Sequence, residues 1–97
     1  MQNAMRPIRP GEILREEYLL PLGMSASMLA KVLHVPANRI NGIANEKRGI
    51  TADTALRLSR YFRTTAEFWL NLQKIYELRL AEVQVGAKIR REVKPAA

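Results

Sequence analysis

The side chains whose types and spacing suit chemistry crowd between residues 25 and 48. Ala37, Asn38, Arg39 and Asn41 fall within one short stretch. An arginine fork matches O6 and N7 of guanine, and an asparagine amide matches N6 and N7 of adenine. Each such pair contributes about 1–3 kcal/mol of discrimination between bases. Ser25, Ser27, Lys47 and Arg48 flank that stretch and are of the types that hold phosphates. Phosphate contacts position a duplex without reading it. The competing reading is a solvated polar helix with a basic rim. The arrangement of elements around these residues favours contact with DNA.

Catalytic and metal chemistry find little support. The chain has no cysteine and a single histidine, His34, so thiolate sites, disulfides and multi-histidine metal centres are excluded. No nucleophile and carboxylate stand at a suitable spacing around His34, which reads as a turn residue. Glu16 and Glu17 are adjacent, and neighbours on a helix point about 100° apart, so they do not form a working pair. No catalytic residue, metal ligand or cofactor is expected.

The 97 residues suffice for one small domain. Lys and Arg total 16 against 9 Asp and Glu, a net charge of +7. The excess is uneven. Residues 24–50 carry Lys31, Arg39, Lys47 and Arg48 against Glu46 alone, whereas residues 1–23 balance to zero. A one-sided basic segment favours a polyanionic partner. No apolar run approaches the roughly 20 residues that span a bilayer, and the N-terminus does not read as a secretory signal. A cytoplasmic location, with no membrane partner, is expected.

Five helices must position these side chains, and no alternating strand pattern competes with them. The first spans about 10–20, opened by Pro10 and stopped by Pro21 and Gly23. Ser25 caps a second over about 26–33, and Pro36 opens a third over about 36–45. Thr51 caps a fourth over about 52–62, and Thr65 a fifth that runs unbroken to Val85. Residues 10–85 are expected to fold as one domain, with 1–8 and 88–97 flexible. The second and third helices are each too short to stand alone. Joined by a turn of about three residues, they form a helix-turn-helix at about 25–45, whose second helix enters the major groove. Leu29, Leu33, Val35, Ile40 and Ile43 face inward, against a core supplied by Ile13, Leu14, Leu56 and Phe62. The wide apolar stripe of the fifth helix exceeds what one neighbour covers. Trp69, Tyr76, Leu80 and Val83 are therefore assigned to a dimer interface.

Three blocks carry a resemblance. Arg-Pro-Gly-Glu-Ile-Leu-Arg-Glu-Glu-Tyr at 9–18, Gly-Ile-Thr-Ala-Asp-Thr-Ala-Leu-Arg-Leu-Ser-Arg-Tyr-Phe at 49–62 and Thr-Ala-Glu-Phe-Trp-Leu-Asn-Leu-Gln at 65–73 resemble the HigA/VapI-type antitoxins of the XRE, phage-repressor-like helix-turn-helix family. The resemblance implies an all-α, five-helix repressor-like domain and a homodimer on a palindromic operator in double-stranded DNA. It further implies autorepression of the operon and neutralisation of a HigB-type, RelE-like mRNA endonuclease toxin. By matching position it places base reading on Ala37, Asn38, Arg39 and Asn41. A free-standing helix-turn-helix repressor without a toxin partner is the alternative. The sequence departs from the family pattern at Arg9, often His; at His34, often Gly; and at Glu46, in a loop that often reads Asn-Gly-Lys/Arg.

Overall fold

The structure, a computed structural model, describes residues 6–96. Residues 1–5, most of the expected flexible lead-in, lie outside the described residues. The helices are α1, in three consecutive segments Pro10–Ile13, Leu14–Leu19 and Leu20–Leu22; α2, Ala26–Leu33; α3, Ala37–Ala44; α4, Ala52–Phe62; and α5, Ala66–Glu92. Among the described residues there is no strand.

Local chemistry sets the starts. The side chains of Ser25, Thr51 and Thr65 accept from the backbone N–H of Met28, Thr54 and Phe68, satisfying a first-turn donor in α2, α4 and α5. Pro36 caps α3 from extended backbone. The first helix runs past its expected stop, because Pro21 lies inside its last turn. The middle segment of α1 is a π-helix, with Leu20 N–H donating to the Arg15 carbonyl. That wider turn re-registers the ladder before Pro21, which has no N–H to give. Gly23 then closes α1 at φ 63°.

The ends of α2, α3 and α4 close in the same left-handed way, but on His34, Glu46 and Arg63, with φ of 59°, 63° and 60°. At His34 the pattern is complete: His34 N–H donates to the Lys31 carbonyl and Val35 N–H to the Ala30 carbonyl. His34 thus meets the positive φ that its place in the turn implied, where glycine would be unstrained.

The core is built from Leu14, Leu29, Ile40, Ile43, Leu58 and Trp69, all fully buried, with Ala30 small at the α2–α3 approach. Leu56, expected inward, is 62% exposed; Ala55 and Leu58 take its place, because they lie on the α4 face turned to α2 and α5. Gly11 sits where α1 meets α3. A Cβ there would lie 1.8 Å from the Ile43 carbonyl oxygen, so only glycine permits this approach.

Two expectations for α5 are corrected. Trp69 is not a surface residue: it is 0% exposed, ringed by Tyr18, Phe62 and Phe68, and its indole N–H donates to Thr64 Oγ1 at 2.7 Å. The widest part of the apolar stripe therefore closes the protein's own core. The helix also continues through Gly86 to Glu92 rather than fraying from Lys88. Glu82 lies across Gly86 to pair with Arg90, bridging the weak point. From Ala81 to Glu92 every residue except Gly86 is exposed.

Candidate nucleic-acid interface

The exposed side of α3 is shaped by what lies behind it. Ile40, Ile43 and Ala44 are buried, which turns Ala37 and Asn38 fully outward and leaves Arg39 and Asn41 half-buried on the flanks. Asn38 thus presents its amide to solvent. The Asn41 amide is already engaged: its nitrogen donates to the Ala37 carbonyl at 3.0 Å and to Ser27 Oγ at 3.3 Å. It stitches α3 to α2 and leaves Oδ1 without a protein partner among the described residues. Ser25 Oγ accepts from Met28 N–H, so its own O–H remains available to an anion.

Lys47 and Arg48 lie on the loop after α3, both exposed, and among the described residues neither is ion-paired. The Arg48 stem runs over Gly42: a Cβ at that glycine would stand 3.4 Å from Arg48 Cβ. The missing side chain of α3 is thus the bed on which Arg48 rests. Arg48 and Arg39 line one cleft together with Thr51, Asp53 and Gln73. Of the positions proposed from sequence, the structure thus brings Arg39 and Arg48 into one cleft, while Ser25 and Asn41 line a separate one on the other flank of α3.

Arg39 is the best-anchored member. Its Nη1 donates to Asp53 Oδ1 at 2.8 Å, and Arg57 Nε donates to the same oxygen at 2.8 Å. Arg57 Nη1 in turn reaches the Leu33 carbonyl at 2.9 Å. The two guanidinium groups, that of Arg57 first, hold the Asp53 carboxyl below the usual carboxylate range.

Glu46 places an acid beside Lys47, but it is matched. Arg15 Nη2 lies 3.1 Å and Arg9 Nε 3.7 Å from its carboxylate. Hydrogen bonding to Glu46, then to Glu16, raises the Arg15 pKa further. Arg9 also donates to the Glu46 carbonyl at 2.9 Å and stacks 5.2 Å over the Tyr76 ring. Sequence reasoning missed Asp53, Arg57 and the Arg9–Glu46–Arg15 cluster as parts of this face. The i, i+4 spacing of Asp53 and Arg57 was a legible signal; the contacts between distant segments left none. Among the described residues, no group of three or more His, Asp or Glu is placed to hold a metal ion.

A helix-turn-helix family model matches residues 14–69, more than half of the chain. The chain belongs to the helix-turn-helix family. This helix-turn-helix protein is 63% identical to virulence-associated protein I of Dichelobacter nodosus, over 84% of this chain and 75% of that one. Its fold superposes on the Pseudomonas aeruginosa antitoxin HigA with the higBA promoter at a TM-score of 0.92 and 49% identity, covering 95% of this chain and 100% of that one. It superposes on an addiction module antidote protein of the HigA family from Coxiella burnetii at 0.90 and 55% identity, covering 95% and 100%. The match reaches along α5, beyond the helix-turn-helix itself. No helix of the described residues is long and apolar enough to cross a membrane.

Proposed function

We propose that this helix-turn-helix protein is the antitoxin of a type II toxin–antitoxin module. It binds a palindromic operator as a homodimer, autorepresses its operon, and neutralises a HigB-type, RelE-like mRNA endonuclease. The observation that carries this reading is the cleft shared by Arg39 and Arg48, beside the exposed Asn38 and Lys47. It occurs in a chain that superposes nearly end to end on an antitoxin described with a promoter. Ala37, Asn38, Arg39 and Asn41 read base edges, and Ser25, Ser27, Lys47 and Arg48 hold phosphates. Ala37 contributes a methyl surface, suited to the thymine methyl group. Tyr76, Leu80 and Val83 form the dimer contact, without Trp69. The protein acts by binding, without a cofactor and not as an enzyme, and works in the cytoplasm.

Selection of duplex DNA from a random pool, followed by a salt titration of the winner, tests the DNA reading. The expected product is an inverted repeat with half-sites about 34–36 Å apart, one helical turn. Weak, steeply salt-dependent binding with no enriched sequence would leave only the electrostatic component and overturn the reading. Growth rescue of cells expressing the toxin tests the second half separately.

A further inference from the structure

Asp53 is an acid on the face proposed to meet a polyanion. Its side chain is 57% exposed, so burial does not explain it. An unmatched carboxylate there would repel phosphates. This one is bound on a single oxygen by two arginines from different elements, and one of these, Arg39, is the candidate base reader.

The chain of contacts has a direction. It begins on the Leu33 carbonyl at the end of α2, passes through Arg57 and Asp53 on α4, and ends on Arg39 of α3. Every link lies between 2.8 and 2.9 Å. Asp53 sits in the first turn of α4, where the helix dipole favours a carboxylate. The relay therefore starts on rigid backbone and delivers one oxygen to one nitrogen of Arg39. The Nε and Nη2 atoms of Arg39 have no protein partner among the described residues. That is one complete edge of the fork, the edge that takes two acceptors side by side.

We propose that Asp53 is a specificity-determining residue: it orients Arg39 by its Nη1 so that the Nε–Nη2 edge meets the two acceptors of guanine. The proposal rests on the reading that α3 reads DNA. Its energetic basis is preorganisation. A free arginine loses much rotamer entropy on fixing its head, whereas a clamped one has already lost it on folding. The positioning is selective for sequence, because only a base with acceptors in that plane benefits.

The sign of the effect separates this role from a purely electrostatic one. An acid that merely opposed phosphates would, once removed, raise affinity for every sequence alike and leave discrimination intact. A positioning acid, once removed, lowers discrimination at the one base pair that Arg39 reads. Single-base variants of the selected operator, bound to Arg39→Ala, identify that pair. The affinity ratio between operator and that variant is then measured for wild type, Asp53→Asn and Asp53→Ala. We expect the ratio to fall roughly tenfold in Asp53→Ala, within the span that a bidentate arginine–guanine pair contributes. A smaller fall is expected in Asp53→Asn, which keeps a neutral acceptor. Ratios at other base pairs should stay constant, and Asp53→Ala should add nothing in the Arg39→Ala background. Arg57→Gln, which keeps both Asp53 and Arg39, should lower the same ratio more weakly. An unchanged ratio in Asp53→Ala, with the wild type still selecting an operator, overturns the positioning role and leaves the DNA reading standing. A wild type that selects no operator overturns both.

Discussion

Arg9 grips Glu46 at both ends, donating to its backbone carbonyl at 2.9 Å while lying 3.7 Å from its carboxylate. Both residues depart from the family pattern, and the fold sets them against each other across 37 positions of chain. The departures compensate. The acid beside Lys47 is matched by Arg9 before α1 together with Arg15. Arg9→Ala is expected to leave it held by Arg15 alone and weaken binding to operator and random DNA alike by a few-fold, as a charge effect should. Adding Glu46→Gln should restore binding. If the double variant stays as weak as Arg9→Ala, Arg9 touches DNA directly and the compensation argument fails.

Gly11, on α1, and Gly42, inside α3, predict opposite signs. Gly11→Ala drives a methyl into the Ile43 carbonyl, and neither backbone has room to move. The loss is expected to be about 2 kcal/mol or more. Gly42→Ala meets Arg48 at ordinary contact distance and gains helix propensity, for a stabilisation of up to about 1 kcal/mol. Urea unfolding of the two variants measures both. Shifts of the same sign would contradict the packing described for one of them.

Asp53 carries a pH signature. Arg57 and Arg39 depress its carboxyl in the folded state, so folding is favoured when it is ionised. That contribution is present above the unfolded pKa and is lost as pH falls through the folded value. As pH falls below the ordinary carboxylate range, the wild-type unfolding midpoint should fall more steeply than that of Asp53→Asn. Parallel curves would mean that the two ion pairs contribute nothing to stability, as exposed pairs often do.

The revised dimer surface separates Val83 from Trp69. Val83 is 75% exposed and Trp69 fully buried. Val83→Glu or Tyr76→Glu is expected to give folded monomers by light scattering. Trp69→Ala should lower the unfolding free energy by about 3–5 kcal/mol, the usual loss for a buried tryptophan. A Val83→Glu protein that remains dimeric would move the interface elsewhere.

The sequence made the helix starts legible because a cap is local: Ser25, Thr51 and Thr65 each meet a donor three residues on. Helix ends were harder. Pro21 read as a stop, and only the π-turn before it shows why it is not. Apolar residues told less than their count suggested. Leu56 and Trp69 carry the same signal, yet one lies outside and the other at the centre, because the side facing the neighbouring helix is a tertiary fact. The base-reading candidates were legible by type. Their anchoring was not: Arg39 meets Asp53 fourteen residues away, and nothing in either neighbourhood marks the pairing.

The end of α5 has a consequence of its own. Ala81–Glu92 is the outer end of a 27-residue helix and has almost nothing packed on it, so it is the part of α5 most prone to unwind without a partner. Its winding is therefore coupled to whatever second chain lies along it. Far-ultraviolet ellipticity then becomes a function of dilution, and the fraction of wound ends tracks the fraction of paired chains. A cell that degrades this protein faster than it makes it would lose operator occupancy as roughly the square of the remaining concentration, so repression would lift abruptly.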